Sequence, residues 1–117
     1  MEHDAMKQLE GGKKIMEITK TYKIGPKATL SGADLREDNL SRSDLSLANL
    51  YEADLRGANL EWARLSGTIL TKADLRGANF RFVNLSGADL SETNLECANL
   101  RGVYLGGPIP IRQIFGL

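Results

Sequence analysis

Chemistry needs titratable side chains gathered in one place, and this chain offers few. Its one histidine, His3, and one cysteine, Cys97, stand near opposite ends of the sequence. His3 is expected to lie in a frayed leader. Cys97 has no histidine in the surrounding body to act as a base, so it reads as a small side chain at a corner. One cysteine also excludes an intrachain disulfide and leaves the compartment open. No Cys/His cluster has metal-ligand spacing. The glycines of "GADL" and "RGANL" are not phosphate loops, because no helix follows to lend its N-terminus. The expectation is no enzyme, no cofactor and no metal.

The residues left to carry function are arranged in columns twenty apart. Arg42, Trp62, Phe82 and Gly102 form one column, with Arg64, Arg81 and Arg101 at neighbouring outward positions. Arg42 over Trp62 and Trp62 over Phe82 would combine a cation–π contact with ring stacking. An exposed Trp/Phe pair ringed by arginines has the composition of an interaction hot spot. The competing role is to shield the backbone corner beneath. Asp34, Asp54, Asp74 and Asn94 form another column beside Arg36, Arg56, Arg76 and Glu96. Opposite charges in adjacent columns offset like-charge repulsion within each, so this reads as a self-neutralised, solvated face. Asn39, Asn59, Asn79 and Asn99 are placed to form an amide ladder.

Positioning those columns is the task of a five-residue repeat. In "ADLRGANLEWARLSGTILTKADLRGANF" (53–80), Leu falls at 55, 60, 65, 70 and 75, then Phe80. Centres continue in steps of five from Leu30 to Leu105, all leucine except Phe80. Two residues before each centre stands a small residue, mostly Ala, with the odd Asp38. The residue just before the centre is mostly Asp or Asn. On an α-helix five residues advance about 500°, which spreads the leucines over all sides. In a straight strand an odd spacing sends successive leucines to opposite faces. Burying a leucine is worth about 1.5–3 kcal/mol, so both forms forfeit most of the stabilisation.

A chain that runs extended and turns a corner once per five residues buries every centre and the small residue two before it. Gly32, Gly57, Gly67, Gly77, Gly87, Gly102 and Gly107 then sit at corners that ask for positive φ. The longest near-identities, "ADLREDNL" at 33, "ADLRGANL" at 53 and "ADLRGANF" at 73, lie 20 residues apart. A 20-residue coil has four sides, and residues 28–107 make about four coils. Coils stacked about 4.8 Å apart bury one another's leucines.

These residues resemble the pentapeptide repeat family, whose motif is A-(D/N)-L-x-x, over residues 28–107. The resemblance implies an all-β solenoid, a right-handed quadrilateral β-helix. It also implies an N-terminal cap over residues 1–27, where Ile15, Ile18 and Tyr22 share a helical face and Gly25–Pro26 would stop the helix. Alternation of Met16, Ile18, Tyr22 and Ile24 is the competing strand reading. The apolar tail 108–117 breaks the register with two prolines. Its Ile109, Ile111, Ile114, Phe115 and Leu117 either fold over the last coil or pair with another chain. The dimers of some gyrase-protecting family members imply a homodimer through this end.

Charge narrows the function classes. Acidic and basic residues balance at 15 each, hydrophobic content is 42% and charged content 26%. Residues 28–107 hold eleven acids and eight bases, net −3. The expected function is a non-enzymatic scaffold or protein–protein interaction module with an as yet unidentified protein partner. The resemblance supplies an alternative, a DNA-mimicking modulator of a type II topoisomerase (DNA gyrase). Such mimicry wants a longer and more acidic rod. Nucleic-acid binding at the Arg/Trp/Phe corner ranks lower, and an ice-binding surface lacks flat threonine arrays. With no apolar run of membrane-span length and no signal-peptide core, the expected location is cytoplasmic, off the membrane.

Overall fold

The computed structural model describes residues 2–4 and 21–106. Strand β1 (Glu2–Asp4) pairs antiparallel with β2 (Thr21–Lys23), with His3 opposite Tyr22. His3 is therefore part of a backbone ladder rather than a frayed leader. Most of the expected capping helix lies outside the described residues. At its end the expectation fails, because Tyr22 belongs to β2. Gly25–Pro26 is not a helix stop either. The Ala28 N–H donates to the Gly25 carbonyl (3.1 Å), closing the first corner turn of the solenoid. Proline suits the second place of such a turn, and Lys27 at the third has φ +62°.

From residue 25 onward the same turn recurs every five residues, from each centre to the small residue three later, as in Ala33 N–H to Leu30 O (3.0 Å) and Ala63 N–H to Leu60 O (2.8 Å). Between turns, single residues bridge in parallel to residues twenty away. Four ladders result: Thr29–Asn49–Ile69–Asp89, Asp34–Asp54–Asp74–Asn94, Asn39–Asn59–Asn79–Asn99 and Asp44–Arg64–Asn84–Tyr104. The coil is therefore four-sided, as the 20-residue lag predicts. The second and fourth ladders occupy opposite sides.

Every third turn position from Lys27 to Gly102 has positive φ. Six are glycine, including Gly102, and ten are not; Arg42, Leu47, Trp62 and Phe82 are among the ten. Glycine takes this conformation freely, whereas a side chain there costs about 1–2 kcal/mol. The geometry is set by the repeat and not by glycine, since stacking against neighbouring coils imposes it at every corner.

The core is the expected axis of leucines and alanines. Leu30 to Leu90 and Phe80 are buried, with Ala33, Ala53, Ala73 and their equivalents beside them. Polar residues at the small position are accommodated by local bonding. The Ser43 hydroxyl donates to Leu40 O (2.6 Å) and the Thr68 hydroxyl to Leu65 O (2.7 Å). The dry axis does not run the whole length. In the last coil Leu95 and Leu105 are only partly buried and Leu100 is exposed. The tail residues Ile109, Ile111, Ile114, Phe115 and Leu117, and Gly107, lie outside the described residues.

At the N-terminal end, the Asp34 N–H donates to the Tyr22 phenol oxygen (3.1 Å). In the next coil the equivalent Asp54 N–H donates to Ala33 O. The Tyr22 hydroxyl thus takes the place that the carbonyl of the preceding coil holds further along, and Ile24 beside it is buried.

Candidate functional site

Trp62 and Phe82 stand at equivalent corners of successive coils, and stacking of the coils stacks their rings. The centroids are 4.6 Å apart and the planes 20° from parallel. Each ring gives one face to the other. Phe82 rests its second face on Gly102, where an added Cβ would come 2.5 Å from Phe82 Cδ1. Solvent therefore meets ring edges and one face of Trp62, which is 51% exposed.

The expected cation is in a different place. Among the described residues Arg81, not Arg42, makes the cation–π contact, with its guanidinium carbon 5.3 Å from the Phe82 centroid. Arg81 Nη1 lies 3.3 Å from Glu61 Oε1, while its Nε is buried without a hydrogen-bond partner among the described residues. Arg42 extends the same column from the preceding coil with φ +62°. Arg101 lies one coil beyond Arg81, and Arg64 is in the adjacent fourth ladder. The structure thus gathers Arg42, Trp62, Phe82, Arg64, Arg81 and Arg101 along one corner and the face beside it.

Two further members were missed in the sequence. Tyr104 is 59% exposed in the fourth ladder, and Leu47, equally exposed, sits at the far corner of that face. Gly67 leaves room for Leu47, whose Cδ2 would meet an added Cβ at 2.7 Å. The signal for Tyr104 was available. Where Asp or Asn precedes a centre, its Oδ1 accepts the backbone N–H two residues on, as in Arg36 to Asp34, Ser41 to Asn39 and Ser86 to Asn84. This local cap explains the Asp/Asn preference. Only Thr29, Arg64, Ile69 and Tyr104 depart from it between residues 29 and 104. The four fall two to a ladder, Thr29 and Ile69 in the first and Arg64 and Tyr104 in the fourth, the latter pair beside Trp62 and Phe82.

The opposite face is spent on itself. Arg36, Arg56 and Arg76 each donate from Nε and Nη2 to the aspartate two residues before, at 2.6–2.8 Å. Looser contacts of 3.9 and 3.7 Å reach Asp54 and Asp74 in the next coil. Hydrogen bonds from Arg56 and Arg76 hold Asp54 and Asp74 below the usual aspartate range against the opposing cost of partial burial. On the fourth face Asp44 is lowered chiefly by the Ser46 hydroxyl and only last by Arg64. Among the described residues Arg42, Arg64 and Arg101 form no ion pair. The unpaired arginines therefore stand at one corner of the rod and on the faces beside it.

Other expected features are structural or minor. The Asn column shows one amide rung, Asn79 Nδ2 to Asn59 Oδ1 (3.3 Å), because its oxygens mainly cap the following turns. Cys97 is an exposed corner residue with φ +61°. Among the described residues no three His, Cys, Asp or Glu side chains gather around a common point, and no helix is long and apolar enough to cross a membrane.

The family model for pentapeptide repeats (8 copies) matches residues 27–67, 58–96 and 68–107. Among solved structures the chain is similar to HetL, a pentapeptide repeat protein involved in heterocyst differentiation regulation from the cyanobacterium Nostoc sp. strain PCC 7120. The two are 37% identical over 73% of this chain and 40% of HetL, with a TM-score of 0.66. It is also similar to alr5209, a pentapeptide repeat protein from Nostoc PCC 7120, at 31% identity over 74% of this chain and 82% of that one, with a TM-score of 0.64. The chain thus spans about two fifths of the length of HetL. No curated protein matches it significantly.

Proposed function

The chain belongs to the pentapeptide repeat family, whose fold is a right-handed quadrilateral β-helix, and from that premise we propose that it is a non-enzymatic, cytoplasmic scaffold that binds a protein partner through the Trp62/Phe82 corner. One observation carries the reading. Two locally unfavourable choices converge on a single side of the rod. Two bulky aromatics occupy left-handed corners that are otherwise glycine or a flexible, mostly charged side chain, and Arg64 and Tyr104 replace capping Asp or Asn in the adjoining ladder. Departures from local preference that leave large side chains half exposed point to functional surface. Trp, Tyr and Arg are also the residues that dominate protein interfaces. HetL takes part in the regulation of heterocyst differentiation, a kind of role that a binding module can fill.

The internal pairing of Asp34, Asp54 and Asp74 with arginines weighs against a DNA-mimicking surface, since that acidic column is neutralised in place. The test is co-purification from the native host with the wild-type chain and with Trp62→Gly/Phe82→Gly. Glycine keeps the corner geometry, so the fold survives. The proposal expects a partner retained by the wild type and by an Arg56→Gln control, and lost with the double variant. An identical set of captured proteins in all three would refute it. Added to a gyrase supercoiling reaction, the chain should change nothing; inhibition or quinolone relief would favour the topoisomerase reading instead.

A further inference from the structure

Taking that binding surface as given, we infer that its occupant is an extended, acidic segment of the partner carrying an apolar anchor, laid along the fourth ladder. Four of the six exposed large apolar side chains among the described residues carry the first half of the argument, the others being Ile69 in the first ladder and Leu100 in the last coil. Trp62 and Phe82 border the fourth ladder on one side, Leu47 borders it on the other, and Tyr104 belongs to it. The second ladder, on the opposite side, has no exposed large apolar residue. The face is thus a shallow track between an aromatic wall and an aliphatic post. Its backbone N–H and C=O groups are consumed between coils, as in Arg64 N–H to Ser43 O (2.9 Å) and Leu45 N–H to Arg64 O (2.8 Å). A partner cannot add as a strand and must bind through side chains.

Charge supplies the second half. Arg64 stands in this track and Arg42 at its corner against Asp44, a local balance of 2 − 1 = +1 on a body that is net negative, while Arg81, Arg101 and Glu61 flank the same corner from the third-ladder side. Three of the four arginines form no ion pair among the described residues, whereas all three on the opposite face are paired. The aromatic wall adds to this preference. Its rings show mainly their edges, and ring edges carry the positive end of the quadrupole. Edges and guanidinium groups both favour carboxylates. Bases of a nucleic acid need open ring faces to stack, and here the Trp62–Phe82 stack and Gly102 cover three of the four.

Trp62 is the only tryptophan, so it reports on its own site. The full chain is immobilised and a random peptide library on phage is panned against it. Enriched sequences are then titrated as synthetic peptides while Trp62 fluorescence is read. Enriched peptides should hold several Asp or Glu around a Leu, Phe or Trp, and should shift Trp62 emission. Their affinity should fall about tenfold or more with Arg64→Glu/Arg101→Glu and stay unchanged with Arg56→Gln. Both arginines are on the surface, and a melting curve like the wild type's confirms that the double variant folds. Basic or neutral peptides that still shift Trp62 would overturn the acidic chemistry and leave the binding corner standing. No enrichment, or peptides that leave Trp62 unmoved, would overturn both. A shift with single-stranded oligothymidylate but not with peptides would put nucleic acid in place of a protein segment.

Discussion

Three glycine corners share one backbone geometry and differ in what faces them, so alanine at each separates strain from collision. Gly67 and Gly77 have φ +67° and Gly102 has φ +72°. A left-handed Cβ costs about 1–2 kcal/mol, and the lower unfolded-state freedom of alanine returns part of it, leaving a net of about 1 kcal/mol. At Gly77 the new Cβ meets only Gly57 N at 4.0 Å, so Gly77→Ala should show that strain alone. At Gly67 it meets Leu47 Cδ2 at 2.7 Å, but Leu47 is largely exposed and can swing away, so Gly67→Ala should cost about the same. At Gly102 it meets Phe82 Cδ1 and Cε1 at 2.5 and 2.7 Å. That ring is pinned by Trp62 and cannot move without giving up a stack worth about 0.5–1.5 kcal/mol. Gly102→Ala should therefore cost about 2 kcal/mol in total. The assay is urea denaturation followed by far-UV circular dichroism, with equal slopes required before midpoints are compared. In a Phe82→Gly background the excess at Gly102 should vanish. If Gly102→Ala costs no more than Gly77→Ala, or the excess persists once the ring is gone, the stacked corner is not the constraint described here.

Tyr22→Phe should destabilise by about 1–3 kcal/mol, because the Asp34 N–H loses its acceptor; amide exchange at Asp34 should speed up while exchange at Asn79 barely changes. Leu60→Ala, at the centre of the packed axis, should cost about 2–5 kcal/mol in thermal or urea melts; a loss below 1 kcal/mol, by roughly the same scale, would mean that the axis is loosely packed. Acid should unfold the protein through its aspartates. Asp44, Asp54, Asp74 and Asp89 all lie below their ordinary value near 3.8, each held there chiefly by a side-chain hydrogen bond. A depressed carboxylate stabilises fully above its unfolded pKa and loses that contribution as pH falls through its lower folded value. Denaturation midpoints should hold steady down to about pH 4 and drop below it. Asp54→Asn/Asp74→Asn keeps the capping oxygens but removes the charge, and should flatten that drop; an unchanged pH slope would refute the assignment.

The repeat was legible because its cause is local and periodic. A large apolar residue every fifth position, a small one two before it and near-identity at twenty admit one way to keep leucines dry, and Leu30 to Leu90 are buried accordingly. Corners with positive φ followed from the glycines. The Trp62–Phe82 stack was legible too, since residues twenty apart must lie one coil apart. What stayed hidden depends on directions that sequence spacing does not encode. Arg81 rather than Arg42 reaches Phe82, because the side chain's path from its corner decides the contact. Tyr22 reads as part of a capping helix, with a strand as the rival, and it is the structure that places it in a strand with its hydroxyl accepting the Asp34 N–H. Leu47 and Tyr104 each resemble ordinary surface residues when taken singly. Only the folding of four sides around one axis places them, with the aromatic pair and the unpaired arginines, along one corner and the faces beside it. Periodicity determines which residues go inside, because burial depends on position in the repeat. The surface is decided by the tertiary stack, because its meaning lies in which exceptions to the repeat become neighbours.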